Sequence, residues 1–378
     1  MNKVITKCLM LVMIVGACTY NPTDIGENEI IFRDFANSVV VTSVDLDSTS
    51  VVRYAHTAPG LAYYTHLGEH NGHKCSVLLK FIDFPTSAQI ESAVLFLAPV
   101  AVTDSLAQPF TAEVYRVESG WAENDQDNSS IEKGVLLGMF TVNPSASVTD
   151  SVIIPLNVVT DWTANTANNF GIMLTSQNAG FAKHYYTRHT ENKSFLKVDY
   201  VEADTVSTDY VLPYSDSYII EGTNLFQQGL AVSNHGPHRM LLRFDIDAIP
   251  EEAAVNYAEL VLTIDDNLSS IGFDDTYGFR AVRINTESWM PDLWTYDDDF
   301  SAVGDLDNNE LRFDVTNIFR NWASRQASAD GTLVYPNYGI AVFSLSERND
   351  LSEFIFRQGG NSPRIELLYT EFTPIKQD

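Results

Sequence analysis

The chain has 378 residues, with 23 Lys or Arg against 50 Asp or Glu and a formal net charge of −27 at pH 7. So acidic a surface repels nucleic-acid phosphate and anionic lipid headgroups, which sets nucleic-acid binding aside; a polyanionic glycan is repelled too unless cations intervene. The length suffices for an ample apolar core in two domains, so the three cysteines need not form a disulfide framework.

Met1-Asn2-Lys3 and Lys7 make a short basic start, followed by the apolar run "CLMLVMIVGA" up to Cys18. This order describes an export signal, and about ten apolar residues fall short of the roughly 20 that span a bilayer. Val15-Gly16-Ala17-Cys18 resembles the lipobox of bacterial lipoproteins. The resemblance implies a signal peptide over 1–17, lipid on Cys18, and a tether over 18–36. The protein would then be held in the cell envelope, at the outer membrane or cell surface, with the lipid as its contact with the membrane. An ordinary secretory signal with a chance cysteine, or an uncut anchor, is the alternative. With Cys8 removed in the signal and Cys18 carrying lipid, Cys75 is left without a partner.

Strands follow. "SVVVTSVDL" alternates with period two, as do "TAEVYRVE", "DSVIIPL", "FLKVDYVEA" and "RIELLYTEF", the pattern of half-buried β-strands. Between the first of these and the strand "SVLLKF" lies "THLGEHNGHKC" (65–75), three histidines, a glutamate and a cysteine in eleven positions. His66, His70, His73 and Cys75 have metal-site composition; the competing reading is a polar turn at Asn71-Gly72. "NVVTDWTAN" and "TNIFRNWASRQ" carry helical spacing, Val158 with Trp162 and Ile318 with Trp322.

The chain repeats itself. "SVLLKF" (76–81) matches "RMLLRF" (239–244), each followed by a proline turn and a second apolar strand, "SAVLFLA" or "YAELVLTI". "VYRVESGW" matches "AVRINTESW", the helical segments ending at Trp162 and Trp322 match, and "NFGIML" matches "NYGIAV". "YYTRHTENKSFLKVDY" aligns without a gap on "FIFRQGGNSPRIELLY". Two modules are therefore expected, 37–202 and 203–371, with a tail at 372–378. Many short strands closing on one core predict an all-β protein of two tandem antiparallel β-sandwich, jelly-roll domains, each with one short helix.

The block order "LLRFD", "AELVL", "DVTNIFRNW", "NYGIAV" and "FRQGGNSPRIELLY" resembles the DNRLRE (disaggregatase-related) domain family. The second module matches more closely; in the first, Lys80 replaces the strand arginine, Phe195 stands at the position of Arg364, and the "DVT" is lost. The resemblance implies a jelly-roll module of extracellular microbial proteins, often found with polysaccharide-degrading enzymes and in some members carbohydrate-binding. These motifs are mostly apolar framework and bear on fold more than on function.

Several residues are candidates for ligand contact. Trp121, Trp162, Trp289 and Trp322 pair between the copies and read as core. Trp294, with Tyr296 and the acids Asp297, Asp298 and Asp299, has sugar-binding composition in "WMPDLWTYDDDF", though a tucked-in Trp is the alternative. Arg188 and Arg357 occupy matching places, as salt-bridge partners or as clamps on a uronate carboxylate. Asp305, Asp307 and Asn309 could turn oxygens toward a structural calcium, although Glu310 stands where such a loop wants glycine. The loop "NHGPHRM" of the second copy keeps two histidines, so His70, His73, His235 and His238 recur at one edge of both modules.

No nucleophile elbow, phosphate loop or zinc-protease helix appears, so catalysis is not expected. The leading function is a surface-tethered polysaccharide-binding lipoprotein, two modules giving avidity on a repeating polymer. A structural or adhesive envelope protein that docks a protein partner is the rival, and a polysaccharide lyase or hydrolase comes third.

Overall fold

The structure, a computed structural model, describes residues 39–45, 51–54, 58–85, 89–125, 130–222, 229–236, 238–247, 249–250, 253–273, 278–289, 294–359 and 362–370. The expected signal peptide, Cys18, the tether and the tail lie outside these residues.

The strands in chain order are β1 (Val39–Asp45), β2 (Val51–Tyr54), β3 (Tyr64–His70), β4 (His73–Lys80), β5 (Gln89–Leu97), β6 (Pro99–Val102), β7 (Phe110–Val117), β8 (Lys133–Val142) and β9 (Asp150–Ile153). Helix α1 (Leu156–Ala164) precedes β10 (Ile172–Ser176), β11 (Ala182–Tyr186), β12 (Phe195–Glu202), β13 (Thr205–Val211) and β14 (Ser215–Gly222). Then come β15 (Leu230–Ser233), β16 (His238–Leu242), β17 (Ala254–Thr263), β18 (Phe279–Ile284), β19 (Tyr296–Val303), β20 (Asp305–Asp307) and β21 (Glu310–Asp314). Helix α2 (Thr316–Ala323) and β22 (Ile340–Ser344), β23 (Glu353–Phe356) and β24 (Arg364–Thr370) are the last of the described elements. Among the described residues the fold is all-β, with antiparallel sheets and two short α-helices.

Two cores organise the sheets. The first draws Leu67, Val77, Val114 and Leu174 from the sheet β6-β11-β3-β4-β10-β7-β8, and Leu95 and Leu196 from β13-β12-β5-β9. Helix α1 plugs it with Val158, Val159 and Trp162. The second core joins the sheet β1-β24-β17-β21-β20 to β19-β18-β22-β16-β15-β23 through Leu260, Phe313, Leu367, Leu242, Ala281 and Val342. Helix α2 closes it with Ile318, Phe319 and Trp322. Burial of this kind, at about 25 cal/mol per Å² of apolar surface, is the main stabilising term.

Strands β10 and β22 are buried at every position, because a second, smaller apolar cluster covers the outer face of each module. Leu78, Val117, Met173 and Ile219 form it in the first, with Trp121 and Phe170 packed on top. Leu241, Val282, Ile284, Ala341, Phe343 and Trp289 form it in the second. The repeated tryptophans thus divide: Trp162 and Trp322 belong to the main cores, Trp121 and Trp289 to the outer clusters. There the indole N–H of Trp121 donates to the Phe170 carbonyl (2.8 Å) and that of Trp289 to the Tyr338 carbonyl (2.9 Å).

The folded units are offset from the sequence repeat. Strands β13 and β14, which belong to the second copy, pair with the first module: β13 along β12, and β14 along the whole of β4 from Ser215↔Lys80 to Gly222↔His73. Conversely, β1 and β2 of the first copy pair with β24 and β16 of the second. The copies thus exchange their leading strands, and a boundary at 202/203 cuts through a hairpin. The cause is local. Ala203 and Asp204 both have positive φ, 48° and 63°, the geometry of a two-residue hairpin turn. This turn folds β13 back on β12 with almost no loop to close. With that edge filled, β1 lies along the matching edge of β24.

Candidate functional site

The histidine segment is a hairpin. Asn71 and Gly72 take positive φ, 47° and 80°, so the "NG" forms the turn between β3 and β4 and sets His70 opposite His73. This hairpin lies on the seam between the modules. His70 Nε2 donates to the Ile271 carbonyl at 3.1 Å, and the Asn71 amide donates to Ser270 Oγ. His73, opening β4, meets His235 of the second module; their ring centroids are 4.1 Å apart. Both Nε2 atoms stand beside one oxygen of Glu353, the first residue of β23, at 3.2 and 3.1 Å from Oε1. Glu353 is fully buried and both histidines nearly so. Neither ring aims an N–H along the line to the carboxylate. Both Glu353 oxygens and His73 Nε2 are left without a hydrogen-bond partner.

A second histidine pair lies nearby. His66 on β3 faces His184 on β11 with Nδ1 atoms 2.6 Å apart, and His184 packs on Phe273 of the second module. Burial pushes His66 down to about 3 and His184 well below the usual imidazole range. It also lowers His70 and His235, and takes His238 to about 4. His238 Nδ1 turns back on the Gly236 carbonyl of its own loop. Cys75 packs among Ala182 and Leu351, and burial raises its thiol. The fourfold set His66, His70, His73 and Cys75 is therefore not assembled.

The other candidates are spread out. Arg188 forms a two-point ion pair with Glu123, Nε to Oε1 at 2.6 Å and Nη2 to Oε2 at 2.7 Å. Its backbone N–H donates to Asp216 at 2.6 Å. Arg357 is exposed, 3.9 Å from Asp265. Trp294 and Tyr296 are half-buried against the outer cluster of the second module. The Arg239 guanidinium lies 5.6 and 5.8 Å from their ring centres, and Glu347 holds it by two hydrogen bonds of 2.7 Å. Asp305 and Asp307 sit exposed on β20, and Asn308 and Asn309 turn the chain into β21 with positive φ. Asn309 donates to Asp266. Among the described residues, the acids and histidines whose ligand atoms converge are His73-His235-Glu353 and Glu123-His189-Asp216.

An open cavity of about 630 Å³ lies on the outer face of the sheet β13-β12-β5-β9. Its floor is the stacked pair Phe96 and Phe195, centroids 5.2 Å apart, and Tyr186 stands at its side. Glu191, Asn192, Lys193 and Thr149 supply polar groups around it. Sequence reasoning missed this site, although a signal exists. Phe96 pairs with Phe195 across β5 and β12, where the second copy pairs Val261 with Arg364. Two changes at facing positions mark a surface rebuilt in one copy.

The chain matches no family model and no curated protein. The fold and this geometry are accordingly the ground for a functional reading.

Proposed function

We propose that the protein is a surface-tethered, non-catalytic lipoprotein that binds polysaccharide. The aromatic-floored cavity of the first module carries this reading. Phe96, Phe195 and Tyr186 offer aromatic surface for the C–H face of a sugar, while Glu191, Asn192 and Lys193 offer partners for its hydroxyls. Lys193 also supplies a cation where the acidic surface otherwise repels an anionic glycan. The lipobox-like start and the DNRLRE-like block order support an extracellular, sugar-associated setting. Affinity electrophoresis of the full chain in gels of neutral and uronate polysaccharides tests it. Retardation by at least one polymer, lost in Phe195→Ala and Tyr186→Ala, is expected; no retardation by any polymer rejects it.

One observation favours the rival, docking of a protein partner. Strand β8 is the last of its sheet and exposes Val135, Leu136 and Met139, and Ile153 on neighbouring β9 is 72 % exposed. Such an apolar edge is a template for strand addition or docking. If the glycan variants behave as wild type while Met139→Glu abolishes co-purification of an envelope protein, the rival reading stands. Screening for lyase and hydrolase activity addresses the third.

A further inference from the structure

We infer that His73, His235 and Glu353 form a zinc site that ties the two modules together. Two imidazole nitrogens converge on one carboxylate oxygen, at 3.2 and 3.1 Å, and all three ligand atoms lie within 4.8 Å of one another. Tetrahedral zinc with bonds of about 2.0–2.1 Å sets neighbouring ligand atoms about 3.3–3.4 Å apart, close to the two nitrogen–oxygen separations. Orientation points the same way. A buried His–Glu ion pair would direct N–H bonds at the carboxylate, yet both Glu353 oxygens and His73 Nε2 have no hydrogen-bond partner. A buried carboxylate without donors is costly, and a cation between the three groups removes that cost.

The donor set narrows the metal. Calcium and magnesium take oxygen ligands, whereas two imidazoles with a single carboxylate suit zinc or ferrous iron, and elemental analysis separates these two. The fourth position is left to water. The ligands come from β4 of one module and from β23 and the β15–β16 loop of the other. One ion therefore cross-links two cores that the chain otherwise joins by exchanged strands. Since the ligands are buried, the ion enters as the modules close on each other, so its binding energy adds to folding.

The full chain, produced in zinc-supplemented medium and purified without chelators, is expected to carry one zinc per chain by elemental analysis. Stripping it with a chelator in mild denaturant should lower Tm by roughly 4 °C or more, restored by zinc and not by calcium. Glu353→Gln keeps the side-chain shape; it and the His73→Gln, His235→Gln double variant should lose more zinc affinity than the roughly 10–100-fold of a supporting contact. Cobalt in wild type should give the intense visible bands of a tetrahedral ion, a readout that holds even if the variants fail to fold. Zinc well below one per chain in reloaded wild type overturns the site. So does zinc retained by folded variants, which places the ion on the acidic surface, or a cobalt spectrum of weak, octahedral bands.

Discussion

Asp216, the second residue of β14, is 1 % exposed and accepts the Arg188 backbone N–H. Burial raises its pKa from 3.8 to about 7; the Arg188 N–H opposes this, the Glu123 charge adds to it, and the Arg188 and Lys193 charges oppose it. The folded protein therefore keeps a proton that the unfolded chain releases, and stability from this group falls as pH rises from about 4 to 7. The whole fall is on the order of 4 kcal/mol. Asp216→Asn should flatten the pH dependence in that window, read as the difference between variant and wild-type urea unfolding at pH 4, 5.5 and 7. The glycines of "NFGIML" and "NYGIAV" have an equally local explanation. Gly171 and Gly339 take φ of 83° and 105°, and a Cβ would stand 2.1 Å from the Leu79 carbonyl or 2.5 Å from that of Leu242. Gly339→Ala should cost more than about 1 kcal/mol, seen as a lower urea midpoint.

At the scale of the element, the two helices act as plugs. Helix α2 buries Ile318, Phe319 and Trp322, and Arg320 ties it to β17 through the carbonyls of Val255 and Asn256 at 2.8 and 3.0 Å. Trp322→Ala removes a side chain 2 % exposed within the main core and should cost roughly 3–5 kcal/mol. Trp121→Ala, in the half-exposed outer cluster, should cost clearly less; thermal unfolding of the two variants side by side checks the order. The helices were legible as elements, since Val158 with Trp162 and Ile318 with Trp322 set their inward faces. The division of the tryptophans between main core and outer cluster was not, because both environments select the same large apolar residue.

At the scale of the molecule, strand exchange sets what can fold alone. Residues 58–222 contain β3 to β14 and so fill the edges of β4 and β12, whereas residues 37–202 leave both open. The fragment 58–222 should unfold in one cooperative transition by circular dichroism, and the fragment 37–202 should lack one or aggregate through its free edges. Equal cooperativity in the two would show that the exchanged strands contribute little.

Composition and periodicity alone established the all-β class, the two helical segments and the turn at Asn71-Gly72. All of these depend on neighbours within a few positions, where alternation and turn chemistry act directly. Which sheet β1 joins was decided by tertiary structure: nothing in its alternation names a partner strand, and it lies along β24 while the two-residue turn at Ala203-Asp204 holds β13 on β12. The candidate sites depended on it further. His73 and Glu353 are 280 positions apart in sequence terms, and no local pattern links them; the packing of one module on the other brings them to a single point. Phe96 and Phe195 likewise became a floor only when β5 and β12 paired.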